Sequence, residues 1–150
     1  MYDGYVKATQ TGTIKMKKLI GGNETILIVD DQETVWDFLI EALQKLGYSV
    51  LLAENGEDAV TIYRENPNEI DLVILDMVMP KLGGHSTFYQ LKEIDPNVKV
   101  LLSSGFVSAA SVNDLLENGA ADFLTKPYRL PVLVEKIRCI LDAGKQSAQV

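Results

Sequence analysis

Five polar residues close otherwise apolar runs in this chain. They are Asp30 and Asp31 in "TILIVDDQ", Asp76 in "DLVILDMVMP", Ser104 in "VLLSSG" and Lys126 in "FLTKPY". An apolar run ending on two adjacent carboxylates is costly by itself, because like charges side by side repel. Three such acids in one cleft call for a divalent cation, and hard oxygen ligands with room left for water and phosphate suit Mg²⁺. The lysine adds a point positive charge suited to phosphate, and the serine adds a hydroxyl. Acids, hydroxyl, lysine and metal together make a phosphoryl-transfer site. In such a site an aspartate can act as nucleophile and form an acyl phosphate, with cations holding the phosphoryl oxygens as charge redistributes.

That chemistry requires elements that bring the five residues together. Short β-rich runs occur at Ile26–Val29, Ser49–Ala53, Leu72–Leu75, Val100–Ser103 and Asp122–Thr125. Between them the spacing is helical. Val35, Phe38, Leu39, Ala42, Leu43 and Leu46 follow the i, i+3, i+4, i+7 rule, with Gly47 as a stop. Leu130, Leu133, Val134, Ile137 and Leu141 repeat the pattern, and shorter helices are predicted at Glu57–Glu65, Thr87–Ile94 and Ala109–Glu117. Five strands alternating with five helices predict an α/β fold, a doubly wound five-stranded parallel sheet with helices on two faces. The two most apolar strands, "ILIV" and "LVIL", read as central. Ligands of such sheets sit beyond the carboxyl ends of the strands, where all five polar residues fall.

Length and composition fit this reading. At 150 residues the chain suits one domain with a real core. Its apolar fraction of 47% and charged fraction of 23% are ordinary for a globular protein. No apolar run reaches the roughly 20 residues of a membrane helix, and no signal peptide is apparent, so a cytoplasmic chain without membrane contact is expected. One cysteine, Cys139, excludes an internal disulfide framework. A net charge of −7 without a basic cluster in the body of the chain argues against direct nucleic-acid binding.

Residues 1–23 differ in being Thr-, Gly- and Lys-rich, and are read as an N-terminal extension or linker ending at Gly21-Gly22. The alternation at Thr13–Lys17 also fits an edge strand or hairpin arm. Residues 24–143 form the expected domain and 144–150 a C-terminal tail, with no output domain in sight.

In order and spacing, "ILIVDD", "LVILDMVMP", "VLLSSG" and "FLTKP" resemble the receiver domain of bacterial two-component response regulators. The resemblance covers about Thr25 to Leu141. It implies a flavodoxin-like sheet of strand order 2-1-3-4-5 and an Mg²⁺-dependent phosphoacceptor switch that catalyses only its own phosphorylation and dephosphorylation. By resemblance Asp76 is the phosphoacceptor. Asp31, Asp76 and the Val78 backbone carbonyl hold Mg²⁺, with Asp30 acting through water. Lys126 contacts the phosphoryl group, and Ser104 and Phe123 form the switch. Pro127 matches a proline usually preceded by a cis peptide bond. The implied partner is a histidine kinase or histidine phosphotransfer domain. A homodimer through the fourth helix, fifth strand and fifth helix is a further possibility. The lead-in "GGNETILIVDD" is similar to that of the C-terminal receiver of hybrid sensor histidine kinases; a stand-alone receiver is the alternative.

Blander readings stand beside these. Asp30 or Asp31 alone suits a helix cap, Phe123 suits a core, His85 a surface loop, and Trp36 and Cys139 plain packing. Gln32 occupies a place where the family often has an acid. Val78 and Phe106, two residues after Asp76 and Ser104, are apolar where some relatives are polar. A nucleotide-binding Rossmann domain would need glycines after the first strand, where this chain has aspartates. An aspartyl-nucleophile metal-dependent phosphatase, the nearest alternative, resembles its kin in a second aspartate two positions after the nucleophile, where this chain has Val78.

Overall fold

The computed structural model describes residues 5–10, 13–79, 82–105 and 109–148. Seven strands and five helices follow in order: β1 (Tyr5–Gln10), β2 (Thr13–Lys18), β3 (Thr25–Val29), α1 (Glu33–Lys45), β4 (Ser49–Ala53), α2 (Gly56–Glu65), β5 (Leu72–Asp76), α3 (Gly84–Ile94), β6 (Val100–Ser104), α4 (Ala109–Glu117), β7 (Asp122–Thr125) and α5 (Leu130–Ala148). Strands β3 to β7 form one parallel sheet in the order β4-β3-β5-β6-β7. Counted within that sheet, this is the expected 2-1-3-4-5.

The sheet is two-sided because successive residues of a strand point to opposite faces. Ile26 and Ile28 of β3 join Leu39 and Leu43 of α1 and Leu133 and Ile137 of α5 in one apolar cluster. Leu27 and Val29 join Ala59, Phe88 and Leu115, from α2, α3 and α4, in the other. Strands β5 and β6 are buried along their whole length, the apolar Leu72–Leu75 and Val100–Leu102 and also the polar residues that close them. Phe38, assigned to the core by spacing, is 46% exposed and lies at the edge of the α1 stripe.

Helix ends follow from local chemistry. Asn55 accepts the backbone N–H of Asp58 at 2.8 Å and caps α2. Helices α1 and α4 stop at Gly47 and Gly119, both at positive φ (102° and 109°). Behind them Tyr48 N–H bonds Leu43 O at 3.1 Å and Ala120 N–H bonds Leu115 O at 2.9 Å, which closes each helix with a Schellman motif.

Two expectations about the chain ends need correction. The stretch read as a linker contains the antiparallel pair β1–β2, which runs from Tyr5 opposite Lys18 to Gln10 opposite Thr13 and is separate from the main sheet. The polar–apolar alternation at Thr13–Lys17 was the correct signal there. Nor does Gly21-Gly22 end a loose tether. Leu19 is buried in the α1–α5 core, Gly22 N–H bonds Leu46 O at 3.1 Å, and a Cβ on Gly21 would run into that same carbonyl. Close approach to the end of α1 explains both glycines. At the other end α5 continues to Ala148, through most of the expected tail.

Candidate functional site

The carboxyl ends of β3, β5, β6 and β7 open on a cleft of about 750 Å³. It is lined by Asp31, Gln32, Asp76, Val78, Ser104 and Lys126, with Val35, Gly105, Pro127 and Tyr128 completing the wall. Asp30 and Asp76 are buried, at 3% and 5% exposure, while Asp31 faces solvent. One carboxylate oxygen from each of the three lies within 4.8 Å of the others. The three acids predicted as a set therefore meet, though their sequence positions span 46 residues.

Each acid is held by its element. Asp30 follows the last residue of β3, where its Oδ1 accepts the Gln32 N–H at 2.9 Å. It thus also braces the turn into α1, although the helix-cap role considered for it is not seen: Gln32 is the N-cap, without a side-chain capping bond. Its Oδ2 accepts from Lys126 Nζ at 2.8 Å. Asp76 is the final residue of β5. Its Oδ1 accepts the Val78 N–H at 3.3 Å, and its Oδ2 lies 3.6 Å from Lys126 Nζ. Lys126 is largely buried, its N–H bonds Ser104 O at 3.0 Å, and the Lys126–Pro127 peptide is cis. The lysine therefore spans Asp30 and Asp76 from the far side of the sheet, nearer to Asp30.

Burial is the main cause that raises the Asp76 carboxyl from its ordinary 3.8 to about 6, with Asp30 and Asp31 pushing the same way. Lys126 and the Val78 N–H oppose the rise. Like charges crowded in a desolvated cleft retain a proton unless a cation relieves them. Three clustered carboxylates with a lysine too few to neutralise them fit a hard divalent cation, and their all-oxygen donor set suits Mg²⁺.

Other expectations are sorted by the same geometry. Ser103 and Ser104 are both buried, but only Ser104 lines the cleft. Val78 stands at the lip, 61% exposed. Phe123 is half-buried in β7 and packs on the core beneath α2, α3 and α4, outside the cleft lining. Phe106 lies outside the described residues. His85 is not in a loop but in the first turn of α3. Its Nε2 is 3.1 Å from Asp114 Oδ2 on α4, and its ring lies against Tyr89. Trp36 packs on the core as expected, whereas Cys139 is exposed on α5. Tyr128 was missed. Its place two residues after Lys126 was the available signal, since the turn that aims the lysine inward also brings that ring to the cleft wall. Burial, reinforced by Asp30, pushes the Tyr128 phenol up to about 12.

Among the described residues no helix is long and apolar enough to cross a membrane. The family model for the response regulator receiver domain matches residues 26–138. Sensor kinase CckA of Brucella abortus is 32% identical over 123 residues, which are 82% of this chain and 13% of that protein. Chemotaxis protein CheY of Bacillus subtilis is 34% identical over 118 residues, 78% of this chain and 97% of CheY. The chain spans about half or less of the first curated relatives it matches, including a ycf27 regulator of Porphyridium aerugineum at 48%. A receiver domain protein from Clostridium thermocellum superposes with a TM-score of 0.78 at 31% identity, covering 82% of this chain and 98% of that one. A chain of the CheX–CheY–BeF3–Mg²⁺ complex of Borrelia burgdorferi gives 0.75 at 30% identity, covering 78% of this chain and 88% of that one. Five parallel strands in receiver order, an acidic cleft at their carboxyl ends and a family match over most of the length lead to one conclusion: this chain belongs to the response regulator receiver domain family of two-component signalling.

Proposed function

We propose that the chain is a phosphoacceptor switch in which Asp76 takes a phosphoryl group from a phosphohistidine of a kinase or phosphotransfer partner. The observation that carries this reading is the buried Asp76 carboxylate, within reach of two further acids and 3.6 Å from Lys126. A carboxylate pushed up to about 6 is still mostly ionised at neutral pH and is more basic than an ordinary aspartate. That makes it the better nucleophile. One Asp76 oxygen attacks phosphorus while the phosphorus–nitrogen bond of the donor breaks. The electron pair stays on the departing imidazole nitrogen, and the proton carried by the other ring nitrogen makes the leaving group a neutral imidazole. Lys126 shifts from Asp30 toward the phosphoryl oxygens, and the Ser104 hydroxyl donates to one of them.

Bound Mg²⁺, held by Asp31, Asp76 and the Val78 carbonyl with Asp30 acting through water, would neutralise the acids and the phosphoryl oxygens. The inward pull on Ser104 leaves space into which Phe123 turns, remodelling the face formed by α4, β7 and α5 for a partner or a second copy. Phosphate acts here only through its differential affinity for two states already in equilibrium. Val78, where a phosphatase of similar chemistry would carry its general acid, favours a switch over a turnover enzyme.

Intact mass after incubation with acetyl phosphate and Mg²⁺ tests the reading. Wild type should gain one phosphoryl group, Asp76→Asn none, and Asp31→Ala little. Normal phosphorylation of Asp31→Ala would refute the metal arrangement, and phosphorylation of Asp76→Asn would refute the acceptor.

A further inference from the structure

At the edge of the sheet opposite the cleft, one buried side chain ties three stretches of the chain together. Arg138 stands midway along α5, and its Nη1 donates to Glu24 Oε1 at 2.8 Å, to the Tyr48 hydroxyl at 3.3 Å and, more weakly, to the Gly21 carbonyl at 3.5 Å. Its Nη2 donates to Asp142, one helical turn on. The Arg138 and Glu24 side chains are only 15% and 11% exposed, so their ion pair is shielded from solvent. Gly22 fits beneath them only as glycine, since a Cβ there would collide with Arg138 Nη1, Glu24 Oε1 and the Tyr48 ring. Leu19 is buried in the α1–α5 core and Gly22 N–H bonds Leu46 O. Residues 19–24 are thus a strap clasped to α5, and β2 of the hairpin ends at Lys18, one residue before it.

The same helix begins at the cleft. Lys126, Pro127 and Tyr128 line the cleft, and α5 starts at Leu130. An α-helix is a stiff rod, and the eight residues from Leu130 to Arg138 span only about 12 Å. The remodelling proposed above for the face of α4, β7 and α5 therefore reaches the clasp. We propose that Arg138 couples the state of Asp76 to the lead-in, so that phosphorylation is felt in the segment preceding β3 as well as on that face. The clasp is closed in the arrangement in which Lys126 lies nearer Asp30 than Asp76. Its hydrogen bonds tolerate little displacement, so a shift of α5 opens it and loosens residues 19–24. Coupling is reciprocal: a clasp that phosphorylation opens must itself oppose phosphorylation.

This inference rests on the phosphoacceptor reading above, and its test separates the two. Amide hydrogen exchange of the full chain is followed by mass spectrometry in Mg²⁺, with and without beryllofluoride as phosphoryl mimic, for wild type, Arg138→Met and Glu24→Gln. The peptide carrying Asp76 reports occupancy of the cleft, and the peptide carrying Gly22 reports opening of the strap. The beryllofluoride affinity of each protein is titrated alongside. In wild type the mimic should protect the first peptide and speed exchange of the second by about fivefold or more, the lower end of ordinary coupling between sites. Both variants should exchange fast at Gly22 with or without the mimic, and should bind it more tightly than wild type. No protection at Asp76 in wild type overturns the acceptor reading and this inference with it. Protection at Asp76 without faster exchange at Gly22 overturns this inference alone. So does beryllofluoride affinity that is unchanged or weakened in the variants, which would make the clasp a structural tie only. Should Arg138→Met fail to fold, Glu24→Gln decides, since it removes one charge and keeps the side-chain shape.

Discussion

Asp76→Asn should make the metal-free protein more stable at neutral pH, although it removes the residue on which signalling depends. Folding moves the Asp76 carboxyl from 3.8 up to about 6, chiefly by burial. At about 1.4 kcal/mol per unit, holding it ionised in the fold costs up to about 3 kcal/mol. The raised value fixes the sign. Above about pH 6 both folded and unfolded chains carry the charge, and the whole penalty applies. As pH falls from 6 toward 4 the folded protein takes up the proton first, and the penalty is relieved. Asparagine has no charge to desolvate, and its Oδ1 can still accept the Val78 N–H. The variant should therefore exceed wild type by roughly 1–3 kcal/mol at pH 7.5 in EDTA. For a chain of 150 residues this is worth about 2–4 °C in Tm per kcal/mol. The advantage should vanish near pH 4, and Mg²⁺ should narrow it at pH 7.5 by stabilising wild type alone. Urea unfolding of both proteins at each pH, read as a difference, cancels titrations they share. A variant no more stable than wild type at pH 7.5, or an advantage unchanged at pH 4, would refute the account of a strained carboxylate.

Lys126→Met should destabilise the metal-free protein by about 3 kcal/mol, since it leaves Asp30 and Asp76 buried without their cation; an unchanged urea midpoint would show that the pair has no net value. Gly21→Ala should lower stability by about 1–3 kcal/mol, because its Cβ meets the Leu46 carbonyl. A neutral result in thermal unfolding would mean that the lead-in is not seated against α1. Val78→Asn, alone or with Phe106→Glu, should speed loss of the phosphoryl group, because a polar side chain at the exposed lip can orient an attacking water. Equal decay rates by intact mass would place control of water elsewhere.

The five-stranded sheet and its helices were legible because those strands announced themselves by β-rich runs and the helices by their period, with Gly47 marking a stop that the backbone uses. Residues that close strands were legible for the same reason: Asp30, Asp76, Ser104 and Lys126 interrupt apolar runs, and a parallel sheet sends all such ends to one edge. What stayed hidden depends on contacts between distant segments. The packing of Gly21 on Leu46 and the pairing of His85 with Asp114 leave no periodic trace. Cys139 sits on the outer side of an amphipathic helix, where its residue type misleads about burial. The preference of Lys126 for Asp30 over Asp76 is likewise a matter of distance, and sequence carries no distances.

Borohydride reduction of the protein after treatment with acetyl phosphate and Mg²⁺, followed by peptide mass spectrometry, tests the central claim most directly. Hydride converts a phosphorylated aspartate to homoserine and leaves free carboxylates untouched. The account predicts homoserine at position 76 and nowhere else. Homoserine at position 30 or 31, phosphate retained on Ser104, or no modification at all would contradict it.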